Sequence, residues 1–304
     1  MTVNNKFHYL RRLLTFVILS SVSLFFVHRT WLICEDVRSV QKLNTYEGVQ
    51  ADYVWTTREL WIMTDQIKSE KVDDIISEIS RFNLGSVSLW FEEITREQFG
   101  NILTLPIRVK LEIVSYTPLS GEGRIAVKPG YLEKVTIRLS GLNSDELLDI
   151  FRKKKTKEFS FTSHIGFPPD RDPSRMLMMS DTAFYEIIYS RHVDTLFLGN
   201  IHVINTSVDY VDATIKTTKN THKSSDIILK NCVPLLEVVN IAQNVKAKKL
   251  YFTFVSRTEA AQVFNNEFPY VDTAVFIAEE RCVFCFKKRL DQACLTGTCY
   301  LENE

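Results

Sequence analysis

Lys134-Val135-Thr136-Ile137-Arg138-Leu139, then the polar stretch Ser140–Asn143, then Ser144-Asp145-Glu146-Leu147-Leu148-Asp149-Ile150-Phe151: the fold turns on how this passage is read. Its first six residues are apolar at alternate positions, 135, 137 and 139, which is the period of a strand with one buried face. The segment Leu147–Phe151 is apolar at helical spacing. The same succession recurs along the chain. Glu59–Met63 leads to Val72–Ile79, Val87–Phe91 to Phe99–Leu103, Glu158–Phe161 through a long loop to Phe184–Tyr189, and Lys249–Phe254 to Ala260–Phe264. Strand starts are expected near residues 59, 87, 109, 134, 158, 194, 249 and 273. Most gaps are roughly 22–36 residues, at or just beyond the period of a leucine-rich-repeat-like array. One such unit cannot bury its apolar face alone, so neighbours must stack. The expected fold is α/β: a leucine-rich-repeat-like stack of strand–turn–helix units with a mostly parallel sheet, preceded by an N-terminal hydrophobic helical segment.

Turn chemistry supports the pattern. Thr95-x-x-Gln98 and Ser256-x-x-Glu259 are capping boxes, and Asn143-x-x-Glu146 is a looser version. Some strands alternate, while Leu250–Val255 is nearly continuous, as suits a parallel sheet covered by helices. Loops are expected at Thr117–Lys128, Phe167–Arg175 and Lys216–Ser225. They read either as solvated insertions or as decoration of a binding face.

Composition narrows the function. Apolar residues make up 45% of 304, enough for a large core, and Lys+Arg and Asp+Glu balance at 37 each. Zero formal net charge argues against a nucleic-acid binder that relies on bulk positive charge. Of the six cysteines, Cys34 and Cys232 are isolated and Cys282, Cys285, Cys294 and Cys299 crowd the C-terminus. A disulfide framework would be spread through the chain, so the body reads as disulfide-independent.

The N-terminus has two readings. Leu13–Val27 is uncharged, follows Arg11-Arg12 and is closed by His28-Arg29, with Trp31–Cys34 resuming the apolar character. That pattern fits a signal peptide or a short membrane anchor. Alternatively, Ser20–Ser23 starts the second helix of a helical hairpin, with Leu24, Val27 and Trp31 on one face. The second reading resembles the latter half of an F-box, of the type L-x-x-V-x-R-x-W, here Leu24, Val27, Arg29 and Trp31. It departs from that family in lacking a Leu-Pro start.

A second resemblance lies in Val127-Lys128-Pro129-Gly130-Tyr131-Leu132-Glu133-Lys134-Val135-Thr136-Ile137. It resembles the K-P-G-x-L-E-x-I-x-I signature of the FTH domain, the F-box-associated domain of the nematode F-box A family. Ser144–Leu148 and Lys157–Phe161 are similar to that family's next helix and strand, whereas Arg152–Lys155 departs from it. In physical terms, Pro129-Gly130 is expected to make a tight turn with Gly at positive φ, Leu132 to anchor it, and Val135 and Ile137 to face the interior. The resemblance implies a substrate-recognition subunit of a cullin–RING ubiquitin ligase, in the cytoplasm or nucleus. Leu24, Val27 and Trp31 would then dock on a Skp-type adaptor, and the body would present an unknown target protein. The other reading is a single-pass membrane or secreted interaction protein anchored by residues 13–27.

No arrangement of reactive groups stands out. Cys282-x-x-Cys285 with Cys294-x4-Cys299 is a candidate zinc or disulfide clip, but the first pair sits in an apolar run, Val283, Phe284 and Phe286, that reads as a last strand of free thiols. The six histidines are scattered, and no nucleophile elbow, phosphate loop or dinucleotide fingerprint occurs. A non-catalytic chain without cofactor is therefore expected. Its parts are a hydrophobic segment over 1–49, an FTH-like α/β repeat domain over 50–290, and a short cysteine-containing tail over 291–304.

Overall fold

The computed structural model describes residues 3–56, 59–65, 67–163, 176–190, 193–204, 224–254, 266–278 and 282–287. In chain order the elements are α1 (Val3–Leu43), β1 (Val49–Val54), β2 (Glu59–Thr64), α2 (Ser69–Ile79), β3 (Asn83–Phe91), α3 (Arg96–Thr104), β4 (Ile107–Ser115), β5 (Gly130–Arg138) and α4 (Ser144–Lys153). There follow β6 (Lys154–Thr162), β7 (Leu177–Ser180), α5 (Asp181–Ile188), β8 (Thr195–Gly199), β9 (Ile201–Ile204), β10 (Ser224–Lys230), α6 (Leu235–Ala242), β11 (Ala247–Phe254), β12 (Val271–Ala278) and β13 (Cys282–Lys287).

Eleven strands form one sheet in the order β1-β2-β3-β4-β5-β6-β8-β10-β11-β12-β13, so the sheet follows the chain. The terminal pairs β1–β2 and β12–β13 are antiparallel, and the neighbours between them are parallel. Right-handed crossovers between strands laid down in chain order put the described connecting helices on one face. Two apolar rows cross the sheet on that face. One runs Ala51, Ile62, Val87, Leu111, Val135, Phe159, Leu196, Ile227, Leu250, Ala274. The next runs Leu89, Ile113, Ile137, Phe161, Leu198, Leu229, Phe252. All of these side chains are buried. The helices seal them with Val72, Ile75 and Ile79 of α2, Phe99, Ile102 and Leu103 of α3, Leu147, Ile150 and Phe151 of α4, Phe184 and Ile187 of α5, and Val238 and Ile241 of α6.

Caps set the helix starts. Thr95 and Asn143 each make a full reciprocal capping box, with Gln98 and Glu146, so the Asn143 motif is as complete as the Thr95 one. At the strand ends the chain turns sharply. Asn200 and Asn231 adopt left-handed φ values of 55° and 57°, which asparagine tolerates better than most residues. Their corners stack: Asn200 N–H donates to Lys230 O at 2.9 Å, and Asn231 Nδ2 donates to Asn200 Oδ1 at 3.2 Å. Past these corners β7 and β9 pair in a separate parallel ribbon.

The free edge at β1 is closed by α1. The Asn44 amide donates to Ala51 O at 3.0 Å and accepts from Ala51 N at 2.7 Å, standing in for a neighbouring strand's peptide group. Val40 and Leu43 join the core, Tyr53 donates to Asp36 at 2.5 Å, and Lys42 pairs with Glu78.

Several expectations are corrected. β3, β5 and β6 start at 83, 130 and 154 rather than 87, 134 and 158, because polar leading residues still join the backbone ladder. Gly130 is not at positive φ and makes no tight turn. It is the first residue of β5, paired with Lys154. Helix α1 runs unbroken through Ser20–Ser23, so the hairpin is replaced by one helix of 41 residues. β1, β7, β9, β10 and α6 were not foreseen, and β10 begins inside the loop expected at Lys216–Ser225. The expected helix at Ala260–Phe264 with its Ser256 cap, the loop Phe167–Arg175, and Cys294 and Cys299 lie outside the described residues.

Edge strands with unmet peptide groups invite pairing with other chains. Asn44→Ala is therefore expected to destabilise the fold by about 1–2 kcal/mol and to raise its aggregation rate, measured by urea melts and light scattering. Equal stability and solubility would mean that the amide bridge contributes nothing.

Candidate functional site

The face of the sheet turned away from the helices carries a different set of residues. Its middle row reads Gln50, Met63, Ser88, Glu112, Thr136, Ser160, Phe197, Ile228, Tyr251, Val275. The row towards the strand starts reads Ser86, Lys110, Lys134, Glu158, Thr195, Asp226, Lys249, Thr273. Alternation places these residues opposite the apolar rows, and no helix crosses them among the described residues. Apart from Met63 on β2, the middle row is polar as far as β6, and it becomes apolar and aromatic from β8 onward.

The first half of this face holds a cleft of about 830 Å³ bounded by β1 to β4. Trp61 and Met63, 46% and 55% exposed, stand on β2, and Trp90 on β3 meets Tyr116 edge-to-face at 6.3 Å. Gly85 makes room for Trp61: a Cβ there would come within 2.6 Å of its indole Nε1. The strand register slips beside this contact, between Leu60 and Ile62 and again between Leu84 and Ser86. Such bulges re-aim side chains, and here they accompany an indole laid over the sheet.

Two of the charged groups lining the cleft, Lys110 and Glu112, are paired. Lys110 donates to Glu112 at 2.6 Å and Ser88 donates to it at 3.0 Å. Desolvation alone would raise the Glu112 pKa. The Lys110 hydrogen bond and charge, the Ser88 hydroxyl and Arg138 outweigh it and hold the carboxyl below its ordinary value. Glu112 is thus an ionised acceptor rather than a proton donor at neutral pH. The cleft offers apolar contact and fixed polar groups, the chemistry of recognition.

The sequence-derived residues fall in three places. Leu24, Val27 and Trp31 are 69%, 67% and 55% exposed on α1. Leu132, Val135 and Ile137 are buried in the core, with Pro129 and Gly130 exposed at the start of β5. Cys282 and Cys285 occupy β13. No group of three or more potential metal ligands is found among the described residues. Sequence reasoning missed Trp61, Trp90, Lys110 and Glu112. The usable signal was the set of positions between the apolar ones, such as Ser86, Ser88 and Trp90, which mark the outer face once the strand is recognised. A comparison with protein-family models, with curated proteins and with solved structures finds no match.

One further charged group is unusual. Lys154, at the start of β6, is only 4% exposed. Burial, with Lys128 adding repulsion, pushes its ammonium down to about 8 from an ordinary value of 10.5. Below about 8 the penalty for burying the charge is fully present. Between about 8 and 10.5 the unfolded chain holds more protons, so stability rises with pH.

Two outcomes are expected. Lys154→Met gains on the order of 2 kcal/mol at neutral pH, and its advantage over the parent shrinks as pH rises through that window in paired urea melts. The buried Cys232 thiol, pushed up to about 12 by desolvation, opposes this trend in both proteins and cancels in the comparison. A pH-independent difference would contradict the assignment. Gly85→Ala is expected to leave far-ultraviolet circular dichroism unchanged while removing the near-ultraviolet signal that Trp61→Phe also removes. Retention of that signal would mean the indole does not rest on Gly85.

Proposed function

We propose that this chain is a non-catalytic protein-interaction domain held at a membrane by α1. One observation carries the reading. From Thr15 to Trp31 the helix is wholly apolar apart from small hydroxyl residues, His28 and Arg29, and its large side chains lie bare. Within Thr15–Leu43 an 18-residue window is apolar enough to cross a bilayer, and none of that window is buried, whereas Val40 and Leu43 at the far end of the helix join the core. A surface helix would show one apolar stripe, whereas Phe16, Val17, Ile18, Leu19, Phe25, Phe26 and Val27 cover every side. Bare apolar surface on this scale asks for lipid or protein. The uncharged core, Leu13–Val27, is about 22 Å long, short for a bilayer, and a short span is accommodated by local thinning of the bilayer. The body is then a leucine-rich-repeat-like stack, supported by strands in chain order and by the stacked asparagine corners. Its open face, with the cleft around Trp61 and Trp90, receives a partner protein.

A second reading has its own support. The Lys128–Ile137 signature resembles the FTH domain, and Leu24, Val27 and Trp31 are free to meet a Skp-type adaptor, as a ubiquitin-ligase subunit would require. Both readings claim the same apolar surface.

Alkaline carbonate extraction separates them. The full chain is expected in the membrane pellet, and Leu19→Arg with Leu24→Arg, each costing roughly 2.5–3.5 kcal/mol at a helix centre, is expected to release it. A parent chain that is released by carbonate and recovered with the adaptor would replace the first reading with the second.

A further inference from the structure

We propose, resting on the membrane reading above, that the edge of the sheet at which the parallel strands begin lies against the bilayer and binds anionic lipid headgroups through Lys128, Lys155 and Lys157. The direction of α1 leads to this. Three contacts fix it along β1: Asn44 with Ala51, Asp36 with Tyr53, and Arg29 Nη2 with Thr56 O at 3.4 Å. Descending numbers on α1 match ascending numbers on β1, so the two run antiparallel. The apolar half of α1 therefore leaves the body beyond the end of β1. Because β1 is antiparallel to β2, and β2 to β6 are parallel, that end is where β2 to β6 start.

The uncharged core of the helix stops at Val27, and Arg29 touches Thr56, so no spacer separates the bilayer from the sheet edge. Side chains on that edge suit an interface. Trp55 and Tyr131 are 64% and 55% exposed, and Trp31 stands on α1 two residues beyond Arg29. Lys128, Lys155 and Lys157 are exposed with no ion pair among the described residues. Arg108 lies 3.8 Å from Glu59 and Arg81 is bound to Glu78, so both are already partly neutralised. Glu133, Glu158 and Asp194 are exposed acids beside the lysines, Glu158 being paired with Lys134 at 3.0 Å. Farther from α1, Asp194 and Asp226 precede Lys248 and Lys249, so the basic stretch is centred on β5 and β6. The opposite ends of β2 and β3 carry exposed Asp65, Glu92 and Glu93. The far ends of β2 and β3 are thus acidic, β5 ends at the exposed Arg138, and exposed lysines without an ion pair among the described residues gather where β5 and β6 start. Unpaired cations held beside an anionic surface add attraction that salt screens.

The test uses the full chain reconstituted in vesicles of phosphatidylcholine with or without phosphatidylserine, read by hydrogen exchange at residues 128–131 and 154–157. Exchange is expected to slow at least tenfold in the phosphatidylserine vesicles, and the protection is expected to fade in high salt. Lys128→Glu, Lys155→Glu and Lys157→Glu together are expected to abolish it while the protein still floats with the vesicles. Lys155→Gln with Lys157→Gln, which adds no negative charge, should weaken it in part. Equal exchange in the two lipids, or protection that survives charge reversal, overturns the proposal and leaves the anchor intact. A parent chain that does not float with vesicles at all overturns the anchor, and the proposal with it.

Discussion

The structure depends on two apolar rows that cross the sheet without a break. From β3 through β11 each strand of the large sheet contributes one residue to each row, and that residue is Val, Ile, Leu or Phe. A parallel strand has no hairpin partner to hold it, so its register is fixed by keeping these side chains in line under the helices. A slip of one residue would send the whole set to the opposite face. That requirement explains why the helices vary in length and sequence while the rows do not, and why the corners at Asn200 and Asn231 are stacked.

The same constraint creates the open face. Among the described residues, helices that arrive on one side leave the other side covered only by its own side chains. Over β3 to β6 the solution is polar: short Ser and Thr lie between charges that pair, Lys110 with Glu112 and, across strands, Lys134 with Glu158 at 3.0 Å. The exposed Lys134–Glu158 pair contributes little stability, and both pairs keep a broad flat sheet soluble. Trp61, Met63 and Trp90 stand apart from that pattern because they leave large apolar surface uncovered next to two bulges. Such a departure from local consistency is where function is usually found.

Much of this was legible in the sequence, and the gaps have physical causes. The alternation at Val135, Ile137 and Leu139 and the caps at Thr95 and Asn143 located β5, α3 and α4, because burial and capping leave local marks. β10 went unseen since Asp226–Leu229 offers only a short apolar run behind a polar stretch, and a strand that short is defined by its neighbours β8 and β11. β1 escaped because an edge strand is half polar, and its closure by Asn44 depends on a contact across a turn. The cleft was hidden for a related reason: Trp61, Trp90 and Lys110 are far apart in the chain and meet only through strand register. The apolar segment over 13–27 was plain, whereas its isolation from the body was not, since composition does not distinguish a core helix from a bare one.

The account rests on that bare helix facing lipid. A nitroxide at Leu19→Cys in the full chain in vesicles, read for collision with oxygen and with a water-soluble nickel complex, tests it most directly. The account predicts high oxygen and low nickel access, as in the hydrocarbon interior. Nickel access equal to that of a label at the exposed loop residue Glu122 would contradict it.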